Sequence, residues 1–198
     1  MRGQGHGSLV AALAGAGVAG RTARELAVFL ELLGRFGRVT NLRGPGGEGR
    51  ALVDTLAALA GVAFLGGGGT LIDVGSGNGF PAIPILLAKR EVSGVLLEPR
   101  ERRWAFLCEV VRELNLNAEV RRERVEEHGG GGYDVLTCRG VAARQWVGEV
   151  KRLVAPGGLV MCWSGGERVG GELGVRVLPS PLSTPGGGVL HVWRRCFT

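Results

Sequence analysis

The sequence contains very little lysine. Lys89 and Lys151 are the only two among 198 residues, so almost all of the positive charge is arginine. The formal net charge of +6 favours a polyanionic partner, with nucleic acid first and an anionic membrane second. A GC-rich genome would also enrich arginine, glycine and alanine with no function attached. Charge alone therefore leaves the partner open.

Paired cysteines and long apolar runs are missing as well. The four cysteines form no CxxC pair, and the three histidines complete no metal-ligand spacing. We therefore expect free thiols, no metal and a reducing, cytoplasmic location. No apolar run approaches the roughly 20 residues that span a bilayer. The first twenty residues imitate a signal peptide, but glycines dilute their apolar part, so we expect neither export nor a membrane anchor.

Helical periodicity dominates the first third of the chain. Thr22 and Glu25 have the spacing of a capping box, and Gly37 is the predicted end of the helix that follows. Its apolar face is Leu26, Phe29, Leu30, Leu33 and Phe36. A glycine-rich turn and a second helix follow, the latter with Leu52, Leu56 and Leu59. We predict a single domain over 1–198, with a helical cap (1–66) on a core (67–198), because no long linker separates the two.

From Thr70 the pattern changes to alternating strands and helices. The predicted strands are Leu71–Val74, Gly94–Glu98, Ala118–Arg122, Tyr133–Cys138 and Leu159–Trp163, with two more near Val175–Leu178 and Val189–Arg194. The predicted helices are one with Pro81 in its first turn, Glu101–Asn115 and Gln145–Val154. This alternation predicts an α/β fold, a parallel sheet with helices on both faces. Ligands of such sheets bind beyond the carboxyl ends of the strands.

One glycine loop follows the first predicted strand in the segment LIDVGSGNGF. Gly75, Gly77 and Gly79 lie between a strand and a helix, which is the context of a nucleotide-type ligand. Glu98 ends the next strand, where a carboxylate can accept hydrogen bonds from both hydroxyls of a ribose.

The spacing of this loop separates two classes of cofactor. Dinucleotide enzymes use G-x-G-x-x-G, which rests a pyrophosphate on a helix N-terminus. Here the pattern is D-x-G-x-G-x-G, and Asp73 is unfavourable beside a pyrophosphate. An acid suits the cationic end of S-adenosylmethionine, which carries an ammonium, a sulfonium and no phosphate. The loop therefore predicts S-adenosylmethionine, although turn glycines in a glycine-rich chain would look similar.

The sequence also limits which group can accept a methyl. The Asn/Asp-Pro-Pro-aromatic motif of exocyclic base-amine methyltransferases is absent, since Thr137-Cys138-Arg139-Gly140 stands at that position. Cys138 resembles the nucleophile of RNA cytosine-C5 methyltransferases, but no Pro-Cys accompanies it, and a small buried residue is the favoured role. A ring nitrogen such as guanine N7 has a free lone pair and needs orientation without a general base. We expect Arg139, at a strand end, to pair with a cofactor carboxylate or an RNA phosphate.

At these residues the chain resembles the glucose-inhibited division protein B family. The most specific match is LIDVGSGNGFPAIPILLA, in which Phe80-Pro81 and Ile83-Pro84 go beyond a generic glycine loop. The other matching segments are RVTNL (38–42), Asp54-Thr55-Leu56, Glu98 with Arg102-Arg103 and Phe106-Leu107, and Arg124-Val125-Glu126-Glu127.

That resemblance implies a fold, a reaction and a site. The fold would be a class I, Rossmann-like methyltransferase, and the reaction S-adenosylmethionine-dependent methylation of guanine N7 in the 530 loop of 16S ribosomal RNA. The partner would be that RNA or the small ribosomal subunit, and a monomer is expected. Gly75 and Phe80 would line the cofactor site, the backbone of Val125 and Glu126 would hold the adenine, and Arg139 would be the family's conserved-looking arginine. The expected cofactor site therefore consists of eight residues: Asp73, Gly75, Gly77, Phe80, Glu98, Val125, Glu126 and Arg139.

Four positions differ from the family pattern. Ala51 replaces a histidine, Ser164-Gly165 a Lys-Gly pair, Leu190 an arginine, and Gly140 an alanine. Loss of a lysine and an arginine weakens phosphate contacts. The alternatives are therefore a methyltransferase for another RNA base or a small molecule, or a divergent cofactor- or RNA-binding protein with little activity. RNA contact is expected from three basic clusters: Arg100, Arg102 and Arg103; Arg121, Arg122 and Arg124; Arg35, Arg38 and Arg43.

Overall fold

The structure is a computed structural model that describes residues 3–40, 47–164, 175–177 and 182–196. Three helices come first: α1 (Gly3–Gly15), α2 (Gly20–Thr40) and α3 (Gly47–Leu59). The alternating part is β1 (Gly69–Val74), α4 (Ala82–Ala88), β2 (Val92–Leu97), α5 (Glu101–Glu113), β3 (Ala118–Arg121), β4 (Tyr133–Arg139), α6 (Val150–Leu153) and β5 (Val154–Ser164). The last strands are β6 (Val175–Val177), β7 (Leu182–Ser183) and β8 (Val189–Arg195). In the described ranges, no helix has the length and apolar character needed to cross a bilayer.

The strands form one sheet in the order β3-β2-β1-β4-β5-β8-β6, with β7 also paired to β8. Strands β1 to β5 pair with one another in parallel, and β8 runs antiparallel to β5. The chain leaves the edge strand β3 and re-enters the sheet at β4, beside β1, so the strand order reverses there. The carboxyl ends of β1 and β4 therefore meet at the switch point, where ligands of such sheets bind. The predicted α/β fold is confirmed.

Alternating residues of the strands fill two separate cores. On one face, Leu71 and Leu96 pack with the apolar sides of α2, α4 and α5. On the other face, Ile72 and Leu136 pack with Trp146 and the short α6. Both faces are covered because side chains of a strand alternate in direction and both sets are apolar.

The N-terminal helices share the first of these cores. Leu26 and Phe29 of α2 are completely buried with Phe106 of α5. The indole Nε1 of Trp163, on β5, donates a hydrogen bond of 2.7 Å to the carbonyl of Ala57 on α3. The helices are thus attached to the sheet through buried apolar and polar contacts, which places α2 and α3 beside the switch point.

The predicted ends of α2 were wrong at both termini. The helix begins at Gly20 and runs to Thr40, so Thr22 lies inside the first turn and Gly37 inside the last part. Glu25 makes no capping box; its carboxylate pairs with Arg21 at 3.1 Å and with Arg90 at 2.7 Å. The ion pair with Arg90, in the turn that follows α4, takes the carboxylate away from the local backbone.

Two other local predictions need correction. Pro81 stands immediately before α4 and not in its first turn. The predicted helix 145–154 is instead two short 3-10 turns, Ala143–Gln145 and Val147–Glu149, followed by α6. The predicted strand near 175–178 is observed as β6, and Leu178 lies outside the described residues. Asn41, Leu42 and the turn that follows them, up to residue 46, also lie outside.

Candidate functional site

The glycine loop turns sharply at the end of β1. Gly75, Gly77 and Gly79 have φ angles of +69°, +57° and +93°, a region that residues with a Cβ rarely adopt. At Gly75 there is also no room, because a Cβ would lie 2.5 Å from Cγ2 of Val141. The sequence needs glycine here for both backbone conformation and close approach of the segment after β4.

Glu98 binds this loop from the neighbouring strand. Its Oε2 accepts a hydrogen bond of 2.9 Å from the amide of Gly77, and its Oε1 accepts one of 2.8 Å from the amide of Arg100. The residue is 3% exposed. Two backbone amides therefore fix the orientation of a buried carboxylate. The directions of its remaining lone pairs are fixed with it.

Asp73 lies beneath the loop and does not line the cavity at the carboxyl ends of the strands. Its Oδ1 accepts a hydrogen bond of 2.6 Å from the hydroxyl of Thr137 on β4. Its Oδ2 is buried and has no hydrogen-bond partner among the described residues. Burial raises the pKa of Asp73 to about 6. The hydrogen bond from Thr137 lowers this pKa, and the negative charge of Glu98 raises it further.

Arg139 ends β4 and is held by two groups. Its Nη2 lies 2.6 Å from Oδ1 of Asp54, on α3. Its guanidinium carbon lies 5.8 Å from the centre of the Phe80 ring, within cation–π distance. The side chain is 25% exposed, so it can still meet a ligand.

The segment after β3 is fastened from the far side by Arg152. The guanidinium of Arg152 donates to the carbonyls of Val125 (3.0 Å), His128 (2.5 Å) and Gly130 (2.7 Å). Val125 is buried and Glu126 is exposed. Three carbonyl contacts from one rigid, planar fork fix the backbone that carries both residues.

These parts surround one cavity of about 880 Å³ at the carboxyl ends of the strands. Every predicted cofactor residue except Asp73 lines it: Gly75, Gly77, Phe80, Glu98, Val125, Glu126 and Arg139. The lining also includes residues that the sequence did not assign to a site: Leu30, Leu33, Gly34, Arg50, Val141 and Gln145. Leu30 and Leu33 had the periodicity of core residues, and no local pattern distinguishes a cavity wall from a core. Asp54 also lines the cavity, although its sequence pattern indicates only a resemblance to the family.

The positions that depart from the family pattern occupy different places. Ala51 and Gly140 line the cavity. Leu190 is completely buried opposite Trp163 in the β5–β8 ladder, so it is a core residue. The Ser164 hydroxyl lies 3.2 Å from Nε2 of His191, and Gly165 is outside the described residues.

The basic clusters are divided by the structure. Arg100, Arg103 and Arg124 line the cavity. Arg121 and Arg122 are paired with carboxylates, those of Glu119 (2.8 Å) and Glu101 (3.2 Å). Arg35 and Arg102 are exposed; the side chain of Arg38 and all of Arg43 lie outside the described residues.

Cys138 does not reach the cavity. It is completely buried and stands beside Cys162, its partner in the β4–β5 ladder. Burial raises the pKa of the Cys138 thiol well above its ordinary value, and Cys162 adds to the rise. The part of the chain that the structure describes contains no group of three or more histidine, cysteine or acidic residues arranged to hold a metal ion.

Comparison of the sequence with known proteins finds one family. The family model described as rRNA small subunit methyltransferase G, GidB, matches residues 22–170. A ribosomal RNA small subunit methyltransferase G of Mycobacterium avium is 43% identical over 120 residues, covering 58% of this chain and 49% of the relative. The protein of the same name from Laribacter hongkongensis is 38% identical over 159 residues, covering 76% and 75%.

Solved structures agree on the fold alone. A SAM-dependent methyltransferase from Aquifex aeolicus superposes with a TM-score of 0.60 at 16% identity, covering 80% of this chain and 97% of that one. A putative methyltransferase from Escherichia coli gives 0.60 at 13% identity, covering 73% and 85%. The chain spans about half the length of the first curated relatives that it matches. The matched region, from α2 to just beyond β5, includes the glycine loop, Glu98 and Arg139, and this chain belongs to the GidB family of rRNA small subunit methyltransferase G.

Proposed function

We propose that this chain transfers a methyl group from S-adenosylmethionine to N7 of a guanine in the 530 loop of 16S ribosomal RNA. The observation that carries the proposal is the cavity at the switch point. In a chain of this family, it brings together the glycine loop, the buried carboxylate of Glu98 and the cation of Arg139.

The residues of the cavity fit S-adenosylmethionine. The carboxylate of Glu98 is preorganised by two amides and suits two ribose hydroxyls. Gly75 and Gly77 present backbone without side chains, which allows close approach. The segment at Val125 and Glu126, fixed by Arg152, supplies backbone groups for the adenine edge. Asp73 lies below the loop, so we propose that its charge acts on the cationic end through the loop and not by direct contact.

The proposed chemistry makes small demands on the protein. S-adenosylmethionine supplies an electrophilic methyl group when bound. Guanine N7 has an available lone pair and loses no proton, so the protein has to hold the base in line with the methyl and exclude competing geometries. Arg139 is the proposed orienting residue on the cavity wall. We assign no general base.

The organisation of the whole protein is part of the proposal. We propose that 1–198 is one domain, since α2, α3 and the sheet share a core and a cavity. We further propose a cytoplasmic monomer that acts on 16S ribosomal RNA, either free or within the small subunit, and not at a membrane.

Two experiments test this function in sequence. Titration calorimetry with S-adenosylhomocysteine should show binding; no binding would contradict the proposal. Small-subunit particles that lack the N7 mark should then accept labelled methyl, and cleavage at 7-methylguanine should map it to the 530 loop. Particles that already carry the mark are the matched control and should accept none. Label at a cytosine would instead favour Cys138 as nucleophile, and label elsewhere would favour another target.

A further inference from the structure

One oxygen of Asp54 binds two arginines at the wall of the cavity. Oδ1 of Asp54 lies 2.6 Å from Nη2 of Arg139 and 3.0 Å from Nε of Arg50, one turn earlier on α3. Asp54 itself is buried, whereas the side chain of Arg50 is 51% exposed. All three residues line the cavity. We call Arg50, Asp54 and Arg139 the arginine clasp.

The arginine clasp carries an excess of positive charge. Two guanidiniums share one carboxylate, so one positive charge remains uncompensated within the group. Three other acids line the cavity, and two of them have partners of their own: Glu98 accepts from two amides, and Glu123 lies 2.6 Å from Nδ1 of His128. The third, Glu126, is exposed, so water screens its charge. The hydrogen bonds of Glu98 and Glu123 do not cancel the carboxylate charges, but five arginines line the cavity against four carboxylates in all. An anion at the clasp would therefore meet a net attraction.

The clasp is also held in a fixed orientation. The face of the Phe80 ring supports the Arg139 guanidinium, and the Asp54 oxygen accepts from its edge. An arginine that is already paired and stacked loses less rotamer freedom when a ligand arrives. A guanidinium has five N–H donors, so the pairing with one carboxylate leaves donors of Arg50 and Arg139 for an oxyanion.

We propose that Arg50 and Arg139 bind one oxyanion of the reaction partners and that Asp54 is the positioning residue that holds them for it. The inference rests on the proposed function and deepens it. The oxyanion is either a phosphate of the RNA or the carboxylate of the methionine moiety. Both offer two oxygens to a planar fork. The location on α3 and β4 makes the N-terminal helices a part of the binding site.

The variant Asp54→Asn separates positioning from simple charge. It keeps the shape of the side chain and makes the cavity more positive by one charge. If Asp54 only neutralises part of the positive charge of the two arginines, the variant will bind the oxyanion more tightly than the wild type does. If Asp54 positions the arginines, the variant will bind it more weakly, by about tenfold, the scale of a charge-assisted hydrogen bond. Arg50→Gln should weaken binding as well, since it removes one donor group while the Asp54–Arg139 pair remains.

Two ligands and one substrate identify the oxyanion. If the oxyanion is the methionine carboxylate, both variants should bind S-adenosylhomocysteine more weakly than the wild type does. Their affinity for 5′-methylthioadenosine, which lacks that carboxylate, should not change. If the oxyanion is an RNA phosphate, both variants should bind S-adenosylhomocysteine and 5′-methylthioadenosine with wild-type affinity. The KM for unmethylated particles should then rise while kcat stays nearly constant. The slope of log affinity for RNA against log salt concentration should become shallower by the contribution of about one phosphate contact.

The matched control is Arg112→Gln on α5, which breaks an exposed ion pair with Glu109 (2.7 Å) and lies outside the cavity lining. It should change none of these constants. Thermal unfolding of each variant identifies loss of folding. Asp54→Glu, which keeps the carboxylate, should bind the oxyanion more tightly than Asp54→Asn does. Tighter binding by Asp54→Asn, or wild-type constants in both clasp variants, would overturn the inference. Failure of the wild type to bind cofactor would instead overturn the proposed function.

Discussion

Glu98 and Gly77 are joined by a hydrogen bond of 2.9 Å that ties the end of β2 to the glycine loop after β1. The same carboxylate binds the amide of Arg100 at the start of α5. One side chain therefore fixes the loop and the entrance of the next helix, and it does so from a buried position at the cavity. Its geometry is set before any ligand is bound.

This relationship predicts the effect of Glu98→Gln. A glutamine has the same shape but presents an NH₂ group to one of two amides that need an acceptor, and it loses the charge that suits ribose hydroxyls. We expect affinity for S-adenosylhomocysteine to fall by roughly 1–3 kcal/mol, the scale of hydrogen bonds to a charged group, measured by calorimetry. Glu109→Gln, at a half-buried position of α5 outside the cavity lining, is the control. Equal affinity in wild type and Glu98→Gln would remove Glu98 from the cofactor site.

Gly75→Ala should damage the site more than the same change at Gly140. Both glycines have positive φ, +69° and +67°, so both variants incur backbone strain on the order of 1–2 kcal/mol. Only at Gly75 would the new Cβ also collide with Val141, while Gly140 has open space. Chemical denaturation should show a larger stability loss for Gly75→Ala. The double variant with Val141→Ala should recover the difference, and failure to do so would show that close approach to Val141 is not the cause.

The fold and half of the site follow from local patterns in the sequence. Glycines after a strand and an acid after the next one predict a shared edge, because parallel strands align their carboxyl ends. The contributions of α2 and α3 were not predictable in this way. The pairing of Asp54 with Arg139 joins residues far apart in the chain, and periodicity cannot report such a contact. The capping box at Thr22 failed for the same reason, because Arg90, in the turn after α4, pairs with Glu25.

Cys138→Ala should retain methyl transfer. The thiol is completely buried, and its raised pKa leaves almost no thiolate near neutral pH. We expect transfer rates within about twofold of the wild type and a modest stability loss, on the order of 1 kcal/mol, from the small cavity left behind. Single-turnover methylation and urea unfolding measure the two effects. A folded but inactive variant, together with a covalent RNA adduct in the wild type, would contradict this assignment.

Arg152→Lys should loosen the segment after β3. The lysine keeps the charge but cannot bind three carbonyls at once, so the backbone at Val125, His128 and Gly130 loses fixed contacts. Hydrogen exchange in residues 125–132 should accelerate, and S-adenosylhomocysteine should bind several-fold more weakly. Lys151→Arg, at an exposed neighbouring position, is the control. Faster exchange without weaker binding would separate this segment from the cofactor site.

Asp73 should make stability depend on pH between about 4 and 6. The ordinary pKa of 3.8 applies to the unfolded chain, and burial raises it to about 6 in the folded protein. In this interval the folded state binds a proton that the unfolded state has released. The contribution of Asp73 to stability is therefore greatest at low pH and is lost as pH rises through the interval.

Asp73→Asn removes this loss and keeps an acceptor for the Thr137 hydroxyl. The free energy of unfolding of the variant minus that of the wild type should rise with pH from 4 to 6 and then level off. The total rise should be on the order of 3 kcal/mol at about 1.36 kcal/mol per pKa unit. Urea unfolding over this pH range measures it. Thr137→Val should extend the interval to higher pH, since the hydrogen bond that lowers the pKa of Asp73 is gone. A difference that does not change with pH would show that Asp73 does not titrate in this interval.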